Sequence, residues 1–161
     1  MTVPVQLRFE VEDLYNRYCE VLDDGPLENW PTLFADPCDY RIVPRENYEN
    51  GLPLALMRCE SRGMLMDRVT AVREQLMYEP RYLRHMVTNI RIRSVSNDAS
   101  RVSAVANYAV LETLRDALTR VLNSGRYIDE MVRGDDGALQ FISKLCVFDS
   151  ELVPNSIVFP V

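Results

Sequence analysis

The sequence predicts an α+β fold in which N-terminal helices pack on one face of a long, curved antiparallel sheet. Three observations carry this. Ahead of Pro80 the apolar residues recur mainly at steps of three and four, the helical period, whereas the four long segments after it alternate in the manner of strands. Those four segments are joined by short turns, which forces consecutive strands to lie antiparallel as a meander. There is no strand–helix–strand alternation, no G-x-G-x-x-G and no P-loop, which excludes the parallel nucleotide-binding folds. A long sheet bent around helices makes a cone whose inside can be a binding cavity.

Each element has its own signal. From Val5 to Leu22 the residues Leu7, Val11, Leu14, Tyr18 and Leu22 form one apolar stripe, with Arg8, Glu12, Asp13 and Arg17 on the wet side. "DDGP" at 23–26 stops this helix, since glycine takes the left-handed conformation after a last turn and proline cannot continue it. "LENWPTLF" at 27–34 reads as a short second helix with Trp30, Leu33 and Phe34 as core anchors. "CDYRIVP" at 38–44 is a strand, 47–53 a loop, and 54–61 a shorter strand. Leu65, Val69, Val72 and Leu76 align along a helix over 64–76 that Pro80 ends. The four strand segments that follow are separated by "SNDAS", "RDAL" and "GDDG", the last a hairpin signal because Asp and Gly tolerate positive φ.

Composition narrows function. At 161 residues, 47% apolar and 26% charged, the chain reads as a single globular domain over 1–161. A net charge of −6 argues against nucleic acid or an anionic membrane as main partner. No apolar run is long enough to span a membrane, and the start carries charges where a signal peptide is apolar, so a cytoplasmic location is expected. Cys19, Cys38, Cys59 and Cys146 are scattered without a C-x-x-C pair, and read as small buried hydrophobes rather than ligands of zinc or an iron–sulfur cluster. The seven methionines read as core filler, and Tyr40, Tyr108 and Tyr127 as ordinary strand aromatics.

His85 is the one histidine, inside "YLRHMVTNIRI". Strict alternation groups Met86, Thr88, Ile90 and Ile92 as the apolar set, and puts His85, Val87, Asn89, Arg91 and Arg93 on the opposite face. No carboxylate near in sequence is placed to orient the imidazole, so His85 reads as a surface or subunit-contact residue rather than a catalytic base or metal ligand. The arginines of 81–93 read as a solvated or inter-subunit face. No residue of the chain is assigned a catalytic, cofactor-binding or metal-binding role.

Several stretches resemble one family. "NWPTLFADPCDYRIVPRENY", "RYLRHMVTNIRI", "NSGRYIDEMVRGDDGALQFISKLCVFDS" and the ending "PNSIVFPV" are similar, in order and spacing, to the small (β) subunits of aromatic-ring-hydroxylating Rieske oxygenases. The benzoate-, anthranilate- and salicylate-type enzymes look nearest. The resemblance implies a nuclear-transport-factor-2-like (cystatin-like) cone and a mainly structural subunit. It further implies a hetero-hexamer of three large (α) and three small (β) subunits, the small ones self-associating about a threefold axis. The Rieske [2Fe-2S] cluster and mononuclear Fe(II) are then expected in the large subunit, with electrons from NAD(P)H through a reductase or ferredoxin. Ligand counting agrees, because a Rieske centre takes two His and two Cys and a facial-triad iron two further His, against one His here. The uncharged tail Ile157–Val161 is expected to dock on a neighbouring subunit.

A second reading is a free-standing, metal-independent isomerase or dehydratase on the same cone. Enzymes resembling ketosteroid isomerase use a tyrosine on the first helix and a carboxylate near the first strand, which makes Tyr15 and Asp39 the candidates. Fold analogy alone does not transfer that activity.

Overall fold

The computed structural model describes residues 3–75, 81–150, 152 and 157–161. Along them run α1 (Val5–Asp23), a 3-10 helix (Leu27–Leu33), β1 (Phe34–Pro44), α2 (Arg45–Glu49), β2 (Met57–Cys59), α3 (Arg62–Gln75), β3 (Arg81–Val95), β4 (Arg101–Leu114), β5 (Arg120–Arg133) and β6 (Leu139–Phe148). The strands form one mixed sheet in the order β2-β1-β6-β5-β4-β3. β3 to β6 are the expected antiparallel meander. β1 departs from an all-antiparallel sheet by running parallel to β6, Asp39 through Pro44 lying against Ser143 through Phe148. The meander leaves that edge of β6 unpaired, and a strand arriving from the helical layer satisfies its backbone groups.

The helices follow their apolar stripes. α1 buries Leu7, Val11, Leu14, Tyr15, Tyr18 and Leu22. Full burial of such a side chain is worth about 1.5–3 kcal/mol, which is what holds the helix on the sheet. Gly25 closes α1 for a reason other than the expected one. It does not have positive φ among the described residues, but a Cβ there would lie 2.8 Å from the Val21 Cα. Trp30, Leu33 and Phe34 are core residues as expected. β1 begins at Phe34 rather than at Cys38, α2 occupies part of the expected loop, and β2 keeps only three residues of the expected strand. The expected helix end at Leu76 and the stop at Pro80 lie outside the described residues. In the β5–β6 hairpin Gly137 has φ +80°, as the "GDDG" signal required.

On the inner face, one row of side chains crosses all six strands. Cys59 lies against Tyr40, Tyr40 against Lys144, Lys144 against Asp129, Asp129 against Ala104 and Ala104 against Ile92. Two of these six positions carry opposite charges at the centre of the core.

Candidate functional site

Lys144 and Asp129, directly opposed on β6 and β5, have no solvent-exposed side-chain surface. Lys144 Nζ donates to Asp129 Oδ2 at 2.8 Å, and Tyr15 Oη on α1 donates to the same oxygen at 2.8 Å. The ammonium also lies over the rings of Tyr127 (3.6 Å), Tyr18 (4.5 Å), Phe141 (4.5 Å) and Tyr15 (4.9 Å). Aromatic faces attract a cation most strongly where water is excluded, so this cage and the carboxylate together replace the hydration Lys144 loses. Burial raises the Asp129 carboxyl above its ordinary range, against the opposing effect of Lys144 and the two hydrogen bonds. Burial and the neighbouring carboxylate likewise push the Tyr15 hydroxyl well above 10.

His85 is inside the cone, not on its surface. Its side chain has no exposure, and its Nδ1 lies 2.6 Å from Oδ1 of Asp23, the last residue of α1. A carboxylate can only accept, so Nδ1 carries the proton. The His85 backbone N–H donates to both Asp23 oxygens at 2.9 and 3.1 Å, and the imidazole meets the Tyr18 ring edge-on at 6.5 Å. The expected surface placement fails because alternation does not run unbroken along β3. Asn89 adopts φ +54°, and the pairing with β4 slips between Thr88 and Arg91. A bulge adds one residue and reverses the alternation. Ile90 and Ile92 pack against the core on one side of it; Leu83, His85 and Val87 do so on the other. The arginines divide accordingly: Arg81 binds the buried Glu112 at 2.9 Å, Arg84 pairs with Asp24 at 2.6 Å, and Arg91 and Arg93 are exposed.

The tail also turns inward. Val161 and Pro160 are buried, and Ile157 and Phe159 pack against the core cluster. The segment Ile157–Val161, expected to dock on a neighbour, buries Pro160 and Val161 in its own chain and leaves Ile157, Val158 and Phe159 half-buried. Tyr18 and Tyr40 hydroxyls and the Cys146 thiol all donate to the Val161 main-chain oxygen, at 2.6, 3.2 and 3.4 Å. Burial drives the Cys146 thiol up to about 12, and the Cys19 and Cys38 thiols up to about 11. Such groups stay protonated near neutral pH and are poor nucleophiles or ligands.

The sequence profile described as "ring hydroxylating beta subunit" matches residues 17–155. The chain belongs to this family. As a β subunit it is 34% identical over 161 residues to the anthranilate 1,2-dioxygenase small subunit of Burkholderia cepacia, covering 100% of this chain and 98% of that one. It is 32% identical to subunit beta 1 of the terminal oxygenase component of terephthalate 1,2-dioxygenase from a Comamonas species, over 89% of this chain and 91% of the relative. A solved structure described as the β subunit of an aromatic-ring-hydroxylating dioxygenase from Novosphingobium aromaticivorans superposes with a TM-score of 0.86. It is 37% identical, and the match covers 97% of each chain.

In this β subunit the pair Tyr15 and Asp39 is not brought together. Tyr15 points into the core onto Asp129, whereas Asp39 pairs with Arg41 at 2.9 Å and Arg58 at 3.7 Å on the outer side of β1. Among the described residues no group of three His, Cys, Asp or Glu side chains is placed to hold a metal ion. The donors do not fit either a Rieske cluster or a facial-triad iron, since the chain's one imidazole is committed to Asp23. No helix among the described residues is long and apolar enough to cross a membrane. Sequence reasoning missed the Lys144–Asp129 pair, although its signal was present. Asp129 shares a strand face with Tyr127 and Met131, and Lys144 with Cys146 and Phe148, so each charge stood on an apolar alternate.

Proposed function

We propose that this chain is a structural, non-catalytic small subunit of an oxygenase that hydroxylates an aromatic acid with O2 and electrons from NAD(P)H. The reading rests on one observation above the others: the only imidazole in the chain is buried and bound to Asp23, which leaves no free imidazole for iron centres that each take two histidines. The Rieske cluster and the mononuclear iron then belong to the large subunit, and this chain's contribution is to hold large subunits in place. A hetero-hexamer of three large and three small subunits in the cytoplasm, fed by a reductase or ferredoxin, is the assembly we infer. An aromatic acid is favoured because the relatives are named for anthranilate and terephthalate, both aromatic carboxylates.

Co-expression with its matched large subunit tests this. The chain alone is expected to be colourless, iron-free and inactive. The purified complex, with reductase and NADH, is expected to hydroxylate anthranilate, benzoate or terephthalate in an oxygen-dependent manner. Stoichiometric iron in the isolated chain, or turnover by the large subunit at the same rate without it, would overturn the proposal.

A further inference from the structure

A cleft of about 790 Å³ opens beside the edge strand β3, lined by the first turns of α1 and by the bulge at Asn89. α1 contributes Arg8, Val11 and Glu12, which share one helix face because Val11 and Glu12 stand three and four residues after Arg8. β3 contributes the stretch from Asn89 to Arg93, in which Arg91 and Arg93 are exposed while Ile90 and Ile92 pack against the core. Val105 and Asn107 of β4 complete the wall. Three guanidinium groups therefore share one hollow with the apolar side chains of Val11, Ile90, Ile92 and Val105. None of the three has an ion pair among the described residues, whereas Arg41, Arg45, Arg58, Arg73, Arg84 and Arg133 each reach a carboxylate. Glu12 is the one acidic side chain in the lining. Set against three arginines it leaves a surplus of two positive charges, in a chain whose net charge is −6. A concave wall concentrates such a field and draws anions to it.

We propose that this cleft is a binding site for a small organic carboxylate carrying an apolar body. Guanidinium groups match a carboxylate in a planar, bidentate manner and stack on aromatic faces. The Asn89 and Asn107 amides stand in the same lining as further donors, and the valine and isoleucine side chains take the apolar body. The volume falls within the roughly 300–1,000 Å³ usual for small-molecule sites. An added β-strand is not the occupant. Pairing shifts twice along this part of β3, between Thr88 and Arg91 and between Ile92 and Ser94, and bulges and charges of this kind keep an edge from pairing with another chain. This site is independent of the role proposed above in holding large subunits.

The experiment is 19F NMR on the full chain with three probes. These are 4-(trifluoromethyl)benzoate, its neutral amide of nearly equal shape, and trifluoroacetate, which keeps the charge without the body. The benzoate is expected to bind at one site, and the other two about tenfold more weakly or worse, as loss of hydrogen bonds between charged groups implies. Arg91→Gln/Arg93→Gln, checked for folding by circular dichroism, is expected to weaken the benzoate about tenfold and leave the amide unchanged. Arg8→Gln, on a different element, should weaken the benzoate as well, and Glu12→Gln should bind it more tightly. No binding of the benzoate, equal binding of benzoate and amide, or an affinity that neither arginine variant changes would overturn the proposal. So would a wild-type chain that co-purifies with the large subunit while the double arginine variant does not, because the arginines would then belong to a protein interface.

Discussion

Replacing Asp129 with asparagine is the sharpest test of what organises the core. The substitution keeps the shape and an oxygen for Tyr15, but leaves the fully buried Lys144 without a counter-charge. Removing one partner of a buried ion pair typically costs about 3–5 kcal/mol, a large share of the roughly 5–15 kcal/mol that holds a domain together. At about 2–4 °C per kcal/mol for a chain of this size, melting should fall by roughly 6–20 °C. Lys144→Met is expected to cost less, because the orphaned Asp129 can take up a proton. Its carboxyl is already raised by burial, and the lysine that opposes the rise is gone. The folded state then binds a proton that the unfolded chain has released. The stability of Lys144→Met therefore falls as pH rises above the ordinary carboxylate value of about 3.9. Asp129→Leu/Lys144→Met removes both charges and should lose less than Asp129→Asn alone. Guanidinium unfolding of the four proteins between pH 4 and 8 measures all of this. A cost under about 1 kcal/mol for Asp129→Asn, or strictly additive effects, would show that the pair is not the coupled unit described here.

Three further outcomes are expected. His85→Ala should cost about 1–3 kcal/mol in urea unfolding, since Asp23 keeps the His85 backbone N–H but loses the ring donor. Iron per large subunit in the assembled complex should stay unchanged, and loss of iron from an intact complex would show His85 to be a ligand. Asp98, in the β3–β4 turn, is held down to about 2 by hydrogen bonds from Ser96 and Ser100, so its contribution is present above its ordinary 3.8 and lost as pH falls toward 2. Asp98→Asn should therefore flatten the acid limb of stability between those values, and parallel curves for the two proteins would contradict it. Gly125→Ala places a Cβ 2.0 Å from the Val147 carbonyl oxygen and 2.8 Å from the Phe148 Cα, both backbone atoms that cannot step aside. A loss of about 4 kcal/mol or more, or no soluble protein, is expected, whereas wild-type stability would refute the β5–β6 register.

Local chemistry was legible in the sequence, and contacts between distant residues were not. The limits of β3, β4, β5 and β6 follow from alternation and from turn residues a few positions apart, so they could be read directly. The stripe of α1 and the anchors Trp30, Leu33 and Phe34 were legible for the same reason. The family, too, is carried by short stretches in fixed order. What tertiary structure decided begins at Asn89. One residue at φ +54° reverses the strand's facing and carries His85 from the solvent side to the core. There it meets Asp23, 62 residues away. Tyr15 finds Asp129 across 114 residues, and Tyr40 finds the Val161 oxygen across 121. Such partners have no local signature, because a hydrogen bond of this kind depends on where the sheet folds back on the helix and not on spacing along the chain. The destination of the tail was hidden likewise: an uncharged segment is apolar whether it covers a neighbour or its own core. Only the packing of α1 on the sheet brought the Tyr18 and Tyr40 hydroxyls together where Val161 lies.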